Sequence, residues 1–381
     1  MKVMQILPSL ESGGVERGTI DVAKALKKEG FDPIVVSKGG VLVFQLREAG
    51  INHITLDVGS KNPFKIFSNI KHLEKIIEEN KVDIVHVRSR APMWSAYFAC
   101  KNTKTKLVST VHGTYSLKLF GFKVFPLKRI YNQIMLKADR IIAVSNFIKS
   151  HILENYREDV SAKITVIQRG ADLNYFNSLA ASNGRIIDLI KKWNLPEDKK
   201  IILMPARFTA WKGHEFLIET LTKVKHDFFC VMIGSDHGHK KFRQKVEQLI
   251  VKNNLAERVR IVGLCKDMQS AYALSHLVVC PSVRPEAFGR VAIEAQSCGK
   301  VIIATKIGGV LDTVIDGKTG FLVDVNDTQK FADLIDQVLE MSKEDADFIG
   351  AAGRKNIEEN FSNDKMCNLT INLYKSLHEN N

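Results

Sequence analysis

The residues best suited to chemistry gather in one stretch, Arg284-Pro-Glu-Ala-Phe-Gly-Arg-Val-Ala-Ile-Glu-Ala-Gln-Ser-Cys-Gly299. Glu286 and Glu294 stand eight positions apart, on either side of Gly289. An ionised carboxylate can accept two hydroxyl hydrogen bonds, the usual way to hold a sugar or ribose diol. Before this stretch, Leu277, Val278, Val279 and Cys280 form an apolar run that reads as a buried strand. Pro281, Ser282 and Pro285 then interrupt regular structure. From Arg290 the pattern turns helical, and Cys298-Gly299 closes it. Glu286 therefore falls on a loop and Gly289 at a helix entrance. A helix start offers unpaired amides and a positive dipole end to an anion, and glycine lets a ligand approach the backbone. A pyrophosphate seated there, between two glutamate-held sugars, describes a nucleotide-sugar. Two glutamates at this spacing also occur on solvated loops, where Glu294 would only favour the helix dipole.

Cations follow the same pattern at another strand end. The apolar run 200–205 leads into Ala206-Arg207-Phe208-Thr209-Ala210-Trp211-Lys212-Gly213, with a helix from near His214. Arg207 and Lys212 would neutralise a diphosphate leaving group, or else be plain solvated charge. In the first half, His112 lies just past a strand and before Gly113. Arg88 and Arg90 follow the strand ending at Val87, where guanidinium groups suit an anionic acceptor or simply form a basic surface pair. Gly13-Gly14 turns a first strand into a helix without the glycine spacing of a dinucleotide fingerprint. The next strand, 34–36, also lacks an acidic residue to hold a ribose, which argues against NAD binding.

Positioning these residues takes two rounds of alternating strands and helices. Strands are expected over 83–87, 106–111, 140–144 and 163–167, then over 200–205, 228–233, 258–262, 277–280, 300–304 and 321–323. Helical patterns cover 64–80, 328–341, 346–359 and 361–378. Such alternation predicts an α/β fold with parallel sheets, whose ligands bind at the strand carboxyl ends. Polar residues over 174–200 read as the connection between two domains.

The net charge of +13 calls for an anionic partner, and an anionic membrane or glycolipid accounts for more of it than nucleotide phosphates do. No aromatic-basic stacking motif or zinc spacing supports nucleic acid. Segment 115–137 mixes Phe120, Phe122, Phe125, Ile130 and Tyr131 with Lys118, Lys123, Lys128, Arg129 and Lys137, and has no acidic residue. That suits an interfacial segment on anionic lipid, or equally a helix packing its apolar face on the sheet. The opening apolar run ends at Pro8 and reads as a strand rather than a signal peptide, and no run is long enough to cross a bilayer. None of the six cysteines forms a Cys-x-x-Cys pair, as expected of small buried thiols in a reducing cytoplasm, with peripheral attachment to the inner membrane face as a further expectation.

The string Glu286-x-Phe288-Gly289, followed by Glu294, resembles the signature of retaining glycosyltransferases of family 4, which have the GT-B fold. Ala287 stands where proline is usual, and Arg169 stands in the place of an asparagine before Gly170 and Asp172. The resemblance implies two Rossmann-like parallel-sheet domains facing each other across a cleft. One is an acceptor-binding domain over 1–172, joined by a returning helix over 362–381; the other is a donor-binding domain over 173–361. It implies donor contacts at Gly14, Arg207, Lys212, Gly263, Leu264, Ala287, Phe288, Gly289, Arg290 and Glu294, with His112 and Glu286 at the reacting sugar. Gly13, with Arg88 and Arg90, would face the acceptor. The expected partners are a nucleotide-sugar and a lipid-linked or glycan acceptor, as in lipopolysaccharide, glycolipid or polysaccharide synthesis, with no cofactor and no metal. A nucleotide-sugar epimerase on the same fold, or a non-catalytic basic membrane or nucleic-acid binder, are the competing readings.

Overall fold

The computed structural model describes residues 1–11, 13–114, 118–119, 122–123, 126–156 and 159–379; for 118–119, 122–123 and 126–128 it describes the backbone alone. The chain divides into two compact units, Met1–Gly170 with Asn363–Asn381, and Ala171–Ser362.

Unit 1 is built on strands β1 (Lys2–Ile6), β2 (Asp32–Ser37), β3 (Asn52–Thr55), β4 (Ile84–Val87) and β5 (Lys106–Val111). A short hairpin follows, β6 (Lys118–Leu119) with β7 (Phe122–Lys123), and then β8 (Arg140–Ala143) and β9 (Ile164–Val166). The seven-stranded sheet runs β3-β2-β1-β4-β5-β8-β9 and is parallel throughout. Helices cover both faces, so the strands are continuous apolar runs rather than alternating ones. β4 shows this, with all four residues buried. The strand order reverses between β1 and β4, which opens a crevice at their carboxyl ends. The loop carrying Gly13 and Gly14 leaves β1 there, and Arg88 and Arg90 leave β4.

The last helix, Asn363–Glu379, packs on unit 1, with Met366, Ile371 and Tyr374 in one cluster with Val3, Ile84 and Val108. The Tyr374 hydroxyl meets His86 Nδ1 at 2.5 Å, and His86 Nε2 meets Thr110 Oγ1 at 2.6 Å. Burial first, then Arg88 and His112, hold the His86 pKa well below its ordinary value.

Unit 2 repeats the plan with β10 (Lys200–Pro205), β11 (Phe228–Ile233), β12 (Val259–Val262), β13 (Leu277–Cys280), β14 (Val301–Thr305) and β15 (Phe321–Val323). Its parallel order is β12-β11-β10-β13-β14-β15, and the reversal lies between β10 and β13. Phe208, Phe228 and Phe331, all fully buried, anchor its core.

The stretch 174–200, expected as a connection, is instead part of unit 2. Its helix Asn183–Trp193 buries Leu189 and Trp193. Arg185 Nε donates to Asp267 Oδ2 at 2.8 Å, and Arg260 Nη1 donates to the Trp193 carbonyl at 2.6 Å. The stretch looked like a linker because its polar residues outnumber the few apolar ones that dock. The chain passes between units at Gly170–Ala171 and again at Ser362–Asn363. These two passages run side by side. Ala171 pairs with Ser362, and a β-carbon on Gly170 would lie 2.5 Å from Asn363 Cα.

Candidate active site

The reversal between β10 and β13 places two loops next to each other, one from each strand. After β10 the chain makes a 3₁₀ turn, Ala210–Lys212, and Gly213 then adopts a left-handed φ of 80°. A β-carbon at Gly213 would lie 1.7 Å from the Pro281 carbonyl oxygen, so only glycine permits this approach. The Val283 amide donates to the Trp211 carbonyl at 2.9 Å, tying the loops together.

That tie brings Lys212 to Glu286. Lys212 Nζ lies 2.7 Å from Glu286 Oε1, with the side chains 11% and 13% exposed. Ser282 Oγ donates to the same oxygen at 2.5 Å, and the Cys280 thiol approaches it at 3.6 Å. Burial alone would raise the Glu286 pKa, but the Lys212 charge and these donors outweigh it and hold the carboxyl below its ordinary range. Among the described residues, Glu286 Oε2 has no hydrogen-bond partner. The Glu286 backbone is pinned as well: it bridges to Gly308, and its carbonyl accepts from the Gly309 amide at 2.8 Å.

Gly289 has φ 83° and opens the helix Arg290–Ser297 without a side-chain cap, leaving amides of its first turn unclaimed by any capping group. Ala287 is half-buried on the loop, and Phe288 is buried near Phe361. Within the helix, Glu294 Oε1 takes Arg290 Nη2 at 2.9 Å, and Oε2 takes the Tyr272 hydroxyl at 3.0 Å. Each oxygen keeps a second lone pair for a further donor. Burial, then the Glu294 charge, push the Tyr272 hydroxyl pKa well above 10.0, so it stays a donor.

Arg207 is exposed where β10 ends, beside β11, and forms no ion pair among the described residues. Gly263 and Leu264 follow β12. Leu264 is 76% exposed, and a β-carbon on Gly263 would meet nothing within 4 Å, so backbone and side chain there are open to a ligand.

In unit 1, Gly13 takes φ 153° before the helix Gly14–Lys28. Arg169 is buried and donates through Nη2 to the Gly14 carbonyl, which gives that residue a positioning role at the turn. His112 follows β5, and its Nε2 is buried without a partner among the described residues. Burial, then Arg169 and Arg88, hold its pKa well below 6.5, so the imidazole is neutral at pH 7. Arg88 is 4% exposed and spends Nε and Nη2 on Gln5 Oε1, at 2.9 and 2.5 Å. It is a buried strut rather than a surface guanidinium. Arg90 Nη1 donates to Asn132 Oδ1 at 2.7 Å. Of segment 115–137, the side chains of 115–128 lie outside the described residues; Ile134, Met135 and Leu136 are buried in unit 1, and Ile130 is 52% exposed. Among the described residues no helix is long and apolar enough to cross a membrane, and no three potential metal ligands gather.

Ser282 and Tyr272 are the site residues that the sequence did not mark. Ser282 read only as a strand breaker, and Tyr272 lies 22 positions from the glutamate it holds. Ser282 stands only four positions before Glu286, but the loop conformation that joins them is not written in the spacing.

Two Rossmann-like parallel-sheet units, one with a buried cation–carboxylate pair beside an uncapped helix at its strand carboxyl ends, have the GT-B architecture. Residues 186–355 match the family description "Glycosyl transferases group 1" and residues 12–175 match "Glycosyltransferase Family 4". A crystal structure of a glycosyltransferase from Rickettsia africae is 42% identical, with a TM-score of 0.91, over 100% of this chain and 99% of that one. The capsular polysaccharide biosynthesis glycosyltransferase CapM of Staphylococcus aureus is 27% identical over 95% of this chain and 93% of its own. Anabaena HepE, solved with UDP-glucose, shares the fold at 21% identity with a TM-score of 0.84, over 99% of this chain and 100% of its own. The chain belongs to the group 1, family 4 glycosyltransferases and is an enzyme of that class.

Proposed function

We propose that this enzyme moves a sugar from a nucleotide-sugar to a membrane-associated glycan or lipid acceptor, with retention at the anomeric carbon and without a divalent metal. The carrying observation is the divided use of Glu286. Lys212 and Ser282 hold Oε1, while Oε2 is left to accept hydroxyls of a donor sugar. Two of the three Lys212 donors remain for a phosphate after Glu286 takes one. Arg207, Lys212 and the amides after Gly289 then match a pyrophosphate, and Glu294 matches a ribose. Binding of UDP-glucose by a protein of the same fold supports this donor class.

In the proposed step the bond between the anomeric carbon and the β-phosphate oxygen breaks through an oxocarbenium-like state. The acceptor oxygen bonds to that carbon on the same face, and its proton passes to the departing phosphate. Cationic groups preorganised around the diphosphate supply the stabilisation. The acceptor is assigned to unit 1. The capsular polysaccharide relative supports a glycan acceptor, and the charge of +13 supports an anionic membrane surface nearby.

The test is nucleotide release from a panel of nucleotide-sugars, with EDTA present, with and without membrane lipid extract. Release that depends on extract, a product with the donor's anomeric configuration by NMR, and loss of both in Glu286→Ala are expected. Donor consumption without any acceptor would favour an epimerase, and normal turnover by Glu286→Ala would remove the site.

A further inference from the structure

A second site lies at the opposite end of the unit 2 sheet. A cavity of about 400 Å³ opens where Lys200 begins β10, His276 precedes β13 and Lys300 precedes β14. This is the amino-terminal end of the strands, whereas Arg207, Lys212 and Glu286 follow carboxyl ends. The volume falls within the range of small-molecule pockets.

Its polar lining is cationic. Lys200, Lys300, Lys343 and His276 face a single carboxylate, Asp347, which pairs with Lys343 at 3.2 Å. Lys300 Nζ donates to the Ala273 carbonyl at 2.8 Å, and Lys200 Nζ donates to the Leu339 carbonyl. Neither has an ion-pair partner among the described residues. As caps on helix carboxyl ends each lysine uses one donor. That role does not explain two half-buried ammonium groups beside an open cavity whose one carboxylate, Asp347, is already paired with Lys343, because partly desolvated cations favour a further anion. Burial lowers the Lys300 pKa, and the opposing pull of nearby Asp347 offsets only part of it. His276 Nδ1 accepts from the Ile201 amide at 3.0 Å, so in the neutral ring Nε2 carries the proton and is a donor. Val338 and Met341 supply an apolar wall.

We propose that this cavity binds a small phosphorylated metabolite, its phosphate held by Lys200, Lys300 and His276 Nε2 and its carbon body against Val338 and Met341. The test is thermal melting of the full chain with inorganic phosphate and with glucose 6-phosphate. Both raise the midpoint, and glucose 6-phosphate does so at lower concentration. The rise survives Lys212→Met, which alters the other end of the sheet. It is abolished in Lys300→Met and weakened about ten-fold in His276→Gln, as loss of a charge-assisted contact implies. Lys300→Arg keeps it, and Lys200→Met replaces Lys300→Met if that variant does not fold. No rise in the wild type, an undiminished rise in Lys300→Met, loss in Lys212→Met, or equal response to both phosphates would overturn the assignment.

Discussion

Lys212 and Glu286 meet at 2.7 Å although 74 positions separate them, and the sheet topology is the cause. β10 and β13 are neighbours at the point where the strand order reverses, so the loops leaving them share one crevice. The same reversal between β1 and β4 in unit 1 groups the Gly13-Gly14 loop with Arg88 and Arg90. In each unit the candidate residues collect where the parallel sheet offers an opening, and helices cover the faces.

A buried ion pair is a poor source of net stability but a costly one to break on one side. Lys212→Met leaves Glu286 buried without its cation, so it should lower unfolding free energy by about 3–5 kcal/mol. Lys212→Met combined with Glu286→Gln should recover most of that loss and still lack turnover. Urea denaturation of the single and double variants measures the coupling. Equal losses that simply add would mean the pair does not interact.

Glycines at the loops separate packing from ligand access. Gly213 combines a φ of 80° with a β-carbon site 1.7 Å from the Pro281 oxygen, so Gly213→Ala should cost about 1–3 kcal/mol through strain or loop displacement. Gly263 faces open space, so Gly263→Val should leave the melting midpoint unchanged and raise the donor KM. A destabilised Gly263→Val, or an unaffected donor KM, would contradict the placement of the nucleotide there.

The loop around Glu286 was legible because its punctuation is local. A β-branched run, two prolines and a glycine mark strand, loop and helix start without any tertiary knowledge. Lys212 was legible for the same reason, from the Trp211-Lys212-Gly213 turn after a strand. Tyr272 was not, since its role arises only when the helix Met268–Leu274 packs beside the site, and Ser282 was not, since its bond to Glu286 depends on how the loop between them folds. Arg88 looked like a surface cation because a strand end usually is exposed; the Gln5 side chain on the neighbouring strand buries it. The short edge strand β3 has only half-buried and exposed residues and so lacked the apolar run that betrayed the central strands.

Tyr272 holds Glu294 in place, and Arg290 holds its other oxygen. Tyr272→Phe removes one hydrogen bond to a charged group, an effect of about 1.5–3 kcal/mol. If Glu294 accepts a ribose hydroxyl, the loss should appear as roughly a ten-fold rise in donor KM with little change in kcat. Steady-state kinetics at fixed acceptor give both values. A fall in kcat alone would place Glu294 at the reacting sugar instead.

Two fully buried histidines should make stability fall on mild acidification. His86 and His214 are both 0% exposed. Burial first, then neighbouring charges, hold the His86 pKa well below 6.5; burial, then Lys212, lower that of His214 to about 4. Below about pH 6.5 the unfolded chain binds a proton at each position and the native chain does not. Stability is therefore complete above the unfolded pKa and declines as pH falls, by about 1.4 kcal/mol per pH unit for each histidine until its native pKa is reached. Carboxylates such as Glu286, whose pKa is depressed, contribute their own loss only at lower pH. Urea midpoints taken between roughly pH 7.5 and 5.5 should drop with this slope, and His86→Gln should make the slope shallower. A flat profile in the wild type would show that these imidazoles already carry protons in the native state.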